Sequence, residues 1–249
     1  MRRLRQIHRP TIRGQPMPLG QGQAWRLVLQ DGFDGLANSP PDLSKWNYWL
    51  PDDKRRDAWN RTANTYLDGA SNLVIQTVPG DVGDTGVGAG GITSVAAFGP
   101  ESYFEFSVRS PDPGWLAIWL QTRGGMNGLN TPPDPADGAE YDMAEKFDGG
   151  SVSSNVHWGG YDANHQALGL QAYGVTESSF YTIGAWWSLT ANSFRFFLNG
   201  VLARTFTTLV STRTDEEIRL THEYELAMGT VPVGGWKTYI GSAMAWVPT

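Results

Sequence analysis

The chain has 249 residues, a net charge of −6 and a pI near 5.2. It lacks the basic footprint that nucleic-acid binding needs, and no stretch approaches the ~20 apolar residues of a membrane span. Hydrophobic residues make up 40% and charged residues 18%, a balance that folds instead of staying disordered, and the absence of cysteine excludes disulfides and thiolate chemistry.

The chain opens on Arg2, Arg3, Arg5, Arg9 and Arg13 with no acid among them. Residues 1–20 read as a basic, disordered arm. They do not read as a secretory signal, because no apolar region follows the basic start. Residues 21–249 read as a single domain, since neither a composition shift nor an internal repeat divides them.

Strand-like runs then recur between turn residues. They are Trp25–Gln30, Asn72–Val78 after Asp68-Gly69, and Ile92–Phe98 after the glycine run 86–91. Tyr103–Arg109 alternates Phe104, Phe106 and Val108 with Glu105, Ser107 and Arg109, the period of a half-buried strand. Trp115–Thr122 is nearly all apolar. Arg123–Asp137, rich in Gly, Asn, Pro and Asp, reads as a surface loop rimming whatever follows. Next come an acidic strand, then Ser153–Trp158, Gln166–Tyr173, Tyr181–Leu189, Ser193–Leu198 and Val201–Phe206. Asn199-Gly200 is a hairpin signal between the last two. Thr214–Arg219 reads as a single helical turn, before strands Ile218–Leu226 and Lys237–Trp246. Many short strands with Gly/Pro turns predict an all-β sandwich or barrel.

The acidic strand carries Glu140, Asp142 and Glu145. Acids are depleted in strands, and neighbouring like charges raise the cost of ionising one another. Glu140 and Asp142 share a face by alternation. Glu145 sits an odd number of residues beyond Glu140, so it joins them only if a β-bulge inserts one residue, Met143 or Ala144. A row of carboxylates on one face is what retaining glycoside hydrolysis uses, with one acid attacking the anomeric carbon and another protonating the leaving oxygen. The middle acid would share a proton with the nucleophile in a coupled titration. The competing readings are a calcium site, for which loops are the usual source of ligands, and a solvated acidic face.

Trp115 and Trp119 are four apart and share a face; on the face of Glu140 they form a sugar platform, otherwise they are core. Of Trp186 and Trp187, one is expected inside. His157 is the histidine best placed to hydrogen-bond the acids. His157 with His165, and His222 with Glu223 and Glu225, lack a spacing that argues for a transition metal. Gly86–Gly91 lacks the helix and Lys-Ser/Thr ending of a phosphate loop, and no Gly-x-Ser-x-Gly elbow is present. Asn60-Arg61-Thr62 matches a glycosylation sequon.

Several segments together resemble the family 16 glycoside hydrolases, the laminarinase group. Glu140-Tyr141-Asp142-Met143-Ala144-Glu145 is similar to the bulged Glu-x-Asp-x-x-Glu signature. Asp31-Gly32-Phe33-Asp34-Gly35, Leu43–Trp46, Asn64 through Leu73–Ile75, Gly90–Ser94, Tyr103–Glu105, Trp115–Leu120, Val156–Trp158 and Phe196–Gly200 follow in the family's order. The resemblance implies a concanavalin A-like jelly-roll sandwich of two antiparallel sheets with a concave substrate cleft. Residues 21–249 would then be one glycoside hydrolase catalytic domain, a retaining endo-β-glycanase most simply acting on β-1,3-glucan. Glu140 would be the nucleophile, Asp142 the assisting acid and Glu145 the acid/base. Trp115 and Trp119 would line the glycone side, Asn64 and Arg61 would reach the sugar there, and His157 and Trp158 would sit near Glu145. The alternatives are a β-galactan hydrolase of agarase or carrageenase type, a transglycosylase, and a catalytically silent carbohydrate-binding protein.

That chemistry requires no cofactor. Tyr239–Trp246 stands where the family usually closes with Val-Asp-Tyr-Val-Arg-Val-Tyr, so the structural calcium of many members would lack its aspartate here. The expected partner is a polysaccharide, with no nucleic acid and no membrane, for a monomer that is secreted or extracellular although this chain shows no signal peptide.

Overall fold

The computed structural model describes residues 24–249 apart from 82, 85, 124–138, 147–149, 161, 162, 164 and 208–210. The basic arm and nearly all of the predicted loop Arg123–Asp137 lie outside the described residues. The strands are β1 (Trp25–Asp31), β2 (Trp46–Tyr48), β3 (Lys54–Arg55), β4 (Ala58–Asn60), β5 (Thr65–Leu67), β6 (Leu73–Pro79), β7 (Val87–Ala89), β8 (Gly91–Phe98), β9 (Ser102–Arg109), β10 (Trp115–Thr122), β11 (Ala139–Lys146), β12 (Ser151–Trp158), β13 (Gln166–Ala167), β14 (Gln171–Gly174), β15 (Tyr181–Ser188), β16 (Ser193–Leu198), β17 (Val201–Thr207), β18 (Glu216–Glu223) and β19 (Trp236–Pro248). Single 3-10 turns occur at Thr62–Asn64 and Leu226–Met228.

Among the described residues these strands form two sheets. One has eleven strands in the order β17-β16-β15-β9-β19-β6-β7-β4-β3, with β1 on β19 and β5 on β6. The other has eight, in the order β13-β12-β11-β10-β18-β8-β2, with β14 on β12. Pairing is antiparallel except between β4 and β7. The fold is a jelly-roll sandwich, as expected. Alternation fills its middle: Phe104, Phe106 and Val108 of β9 meet Leu116, Ile118 and Leu120 of β10, all fully buried. Each such side chain contributes roughly 1.5–3 kcal/mol by leaving water. Tyr141 of β11 stacks on Phe194 of β16 with ring centres 4.2 Å apart, tying one sheet to the other. Trp187 is the buried member of its pair.

Some local expectations are corrected. Thr214–Arg219 forms no helical turn; Glu216–Arg219 begins β18, because Ile218 and Leu220 alternate into the core. Gln166–Tyr173 is two short strands, separated where Gly169 takes φ 80°. The glycine run contains β7 and leads into β8. A Cβ on Gly90 would lie 2.3 Å from the carbonyl oxygen of Asn64, so these glycines permit close strand approach. Asn60 of the sequon is 2% exposed, which hides it from glycosylation in the folded chain.

Candidate active site

The site is built on β11, which lies between β10 and β12. Along β10 the register runs Ala117 to Glu145, Ile118 to Ala144, then Trp119 to Asp142, so Met143 has no opposite residue. Along β12, Asp142 faces Asn155 and Glu145 faces Ser153. This is a β-bulge, and both Met143 and Ala144 turn into the sandwich core. The extra residue converts the odd spacing into a shared face. Glu140, Asp142 and Glu145 therefore stand in one row on the outer face of the eight-stranded sheet, between 3% and 9% exposed.

Alternation on the neighbours supplies the surroundings. Trp115, Ala117, Trp119 and Gln121 share that face on β10. Arg219, Thr221 and Glu223 stand opposite Trp119, Ala117 and Trp115 on β18. Trp115 and Trp119 form, with Trp49 and Ala117, an apolar cluster separate from the sandwich core. The two tryptophans thus lie on the acids' face. Trp115 Nε1 donates to Glu145 Oε1 at 3.2 Å, and Trp119 Nε1 donates to Thr221 Oγ1 at 3.2 Å. Gln121 Nε2 donates to Glu140 Oε2 at 2.7 Å, while Arg219 Nη1 donates to the side-chain amide oxygen Oε1 of Gln121. An arginine thereby fixes the amide that fixes Glu140.

On β12, His157 stands opposite Glu140. Its Nε2 lies 3.0 Å from Asp142 Oδ2 and 2.8 Å from Asn155 Nδ2. Its Nδ1 lies 2.9 Å from His165 Nε2. The expectation that His157 and Trp158 flank Glu145 is corrected by this register. His157 belongs to Glu140 and Asp142, and Ser153 is the neighbour of Glu145. Trp158, one residue on, points to the opposite face and packs against the core. Asn64 and Arg61 stand with β7 instead of the acids. Asn64 Nδ2 donates to the Ala89 carbonyl at 3.2 Å, and the Arg61 guanidinium is held by Asp81 and Asp52, each at 2.8 Å.

Burial sets the electrostatics. It pushes the Glu145 carboxyl up to about 9, with Asp142 and Glu140 adding like-charge repulsion. It also holds Asp142 well above the ordinary aspartate range, reinforced by Glu140 and Glu223 and opposed by Arg56 and Arg55. Glu145 is thus a protonated acid at neutral pH, able to give its proton to an oxygen. Glu140, Asp142 and His157 also offer ligand atoms within 4.8 Å of one another, a geometry that fits a divalent cation. Any such ion would compete for the same carboxylates.

The sequence reading missed Gln121, Arg219, Glu223 and the arginines of the β3–β4 hairpin. Gln121 was within reach, since it lies two residues beyond Trp119 on the same strand. Glu223 had only ordinary alternation with Glu225 to mark it.

No protein-family model matches the chain, and no curated protein matches it in sequence. Solved structures do match. Porphyranase B from Zobellia galactanivorans is 18% identical over 92% of this chain and 94% of its own, with a TM-score of 0.70. The endo-β-1,3-glucanase from Pyrococcus furiosus is 17% identical over 92% and 96%, with a TM-score of 0.71. The chain has the fold of the family 16 glycoside hydrolases. β-Agarase B from Zobellia galactanivorans also shares it, 14% identical over 94% of this chain and 98% of its own, with a TM-score of 0.73. At these identities the likeness is one of fold, and the chemistry has to be argued from the site.

Proposed function

We propose that this protein is a retaining, endo-acting β-glycanase that hydrolyses a β-linked polysaccharide by double displacement. The observation that carries the reading is the bulge at Met143, which brings Glu140, Asp142 and Glu145 onto one face beside Trp115 and Trp119. Glu140 attacks the anomeric carbon as the bond to the glycosidic oxygen breaks, and Glu145 passes its proton to that oxygen. A water molecule then attacks the glycosyl–enzyme bond, returning a proton to Glu145 and releasing Glu140. Two glutamates doing opposite jobs need environments that separate them. Here Gln121 donates to Glu140, while burial and the neighbouring carboxylates keep Glu145 protonated against the opposing hydrogen bond from Trp115. Asp142, raised by burial and by Glu140 beside it, stabilises the Glu140 carboxylate by sharing its proton when the glycosyl–enzyme bond breaks and the charge returns.

β-1,3-Glucan is the first substrate to test, and a β-galactan of the agarose or carrageenan type is the second. Both readings draw support from the fold's company, an endo-β-1,3-glucanase on one side and an agarase and a porphyranase on the other. A polysaccharide substrate favours an extracellular site of action. The test is release of reducing ends from laminarin, lichenan, agarose, carrageenan and arabinogalactan. Nuclear magnetic resonance then follows the anomer first formed, and the β anomer is expected. Binding without reducing ends would favour the silent carbohydrate-binding protein. Products longer than the starting oligosaccharide at high acceptor concentration would favour a transglycosylase.

A further inference from the structure

Trp115 and Trp119 lie on the acids' face yet are only 6% and 3% exposed. Trp49 and Arg219 lie against Trp119, and part of what covers Trp115 is the β3–β4 hairpin. Arg55 pairs with Ala58, so Arg56 and Asp57 form its turn, and Arg56 takes φ 53°. A non-glycine residue in the left-handed region persists where its contacts over-determine it, and the contacts here are specific. The Asp57 carboxylate accepts from the Leu226 amide at 2.9 Å, and the Asp57 amide donates to the Tyr224 carbonyl at 3.1 Å. The Arg56 guanidinium lies over the Trp115 ring, its central carbon 4.0 Å from the ring centre. It donates to Glu223, and its Nη1 donates to Glu225 Oε1 at 2.6 Å.

We infer that Arg56 is a specificity-determining residue that occupies the place of a sugar ring on Trp115 and ends the substrate cleft on that flank of Glu145. The inference rests on the glycanase reading above. A planar guanidinium stacked on an indole covers the surface a pyranose would use. Its charge is already met by two carboxylates, so the spot is not an anion site for an acidic sugar. Lifting the guanidinium would take from Glu223, 4% exposed, the nearer of its two arginines and leave it Arg55 Nε at 3.6 Å, a loss that burial makes costly. A neutral sugar therefore leaves the cap in place, and the substrate's binding contacts gather on the β11–β12 flank, where His157 stands.

The test is isothermal titration of oligosaccharides of increasing length, drawn from whichever polysaccharide the wild type cleaves. Glu140→Gln is compared with Glu140→Gln/Arg56→Gly. Glycine accepts the turn's positive φ, and circular dichroism verifies the fold. The double variant is expected to bind the longer oligosaccharides about fivefold to tenfold more tightly, the size of one added aromatic contact, with the shortest unchanged. Iodide quenching of tryptophan fluorescence should rise in Arg56→Gly and not in Arg56→Gly/Trp115→Phe. Should the glycine variant fail to fold, Arg56→Lys, which keeps a cation for Glu223 but loses the plane, is read the same way. A folded variant with unchanged quenching, or with an unchanged dependence of affinity on length, overturns the cap. If no oligosaccharide binds Glu140→Gln at all, the glycanase reading fails and the specificity role goes with it. Iodide still reports whether Arg56 covers Trp115.

Discussion

β9 and β11 are both eight-residue strands in the interior of their sheets, and both carry acid. β9 keeps strict alternation. Phe104, Phe106 and Val108 are fully buried, while Glu105, Ser107 and Arg109 stay half-buried on the outside. Its one carboxylate accepts from Tyr103 Oη at 3.1 Å, and burial raises it. β11 is buried along its whole length. Its bulge sends Met143 and Ala144 inward together, and three acids gather outside. Glu105 and Glu145 are both raised by burial, but only Glu145 has carboxylate neighbours that raise it further. One inserted residue separates an ordinary sheet strand from a strand that concentrates charge.

The largest break in the comparison is chemical. Glu140→Gln should lower kcat at least about 10⁴-fold, the scale of removing a nucleophile, and should leave oligosaccharide binding in titration. Deleting Met143 should give β11 the alternation of β9 and turn Glu145 toward the core. Initial rates are expected to fall as far as for Glu140→Gln, with strand content retained in circular dichroism.

Next in size is Phe106→Ala on β9. It should reduce stability by about 3–5 kcal/mol in urea unfolding while leaving the pH limbs of kcat/KM in place. The pH dependence separates the strands further. Glu145 holds a proton to about 9 in the fold, against 4.5 for a free glutamate. Its contribution to stability is therefore complete below 4.5 and is lost as pH rises toward 9. Over the same range kcat/KM should fall near its alkaline end as the acid ionises. Glu145→Gln should flatten the melting temperature across that window. The smallest effect belongs to β9: Glu105→Gln should change stability by no more than about 0.5 kcal/mol and leave turnover unchanged.

Much of this contrast was legible in the chain. The alternation of Tyr103–Arg109 marked β9, and the spacing of Glu140, Asp142 and Glu145 demanded a bulge if the three were to share a face. Asn199-Gly200 marked the turn between β16 and β17. Features built from distant segments were not legible. Arg56 reaches Trp115 because Asp57 is pinned beside Tyr224 and Leu226, a contact across most of the chain. Arg219 reaches Glu140 through Gln121. The rejection of a phosphate loop at Gly86–Gly91 needed only the local sequence, but the close strand approach that glycine permits there was not legible. Local preference misled at Thr214–Arg219, where burial of Ile218 and Leu220 outweighs it.

The roles of the two glutamates are tested most directly by azide rescue. Glu140→Gly and Glu145→Gly are each given sodium azide and an activated glycoside of the cleaved polysaccharide. If Glu140 is the nucleophile, its variant should yield the α-glycosyl azide, because azide attacks from the vacated face. The Glu145 variant should yield the β-glycosyl azide from the covalent intermediate. Ordinary hydrolysis by Glu140→Gly, or the two anomers exchanged between the variants, would contradict the account.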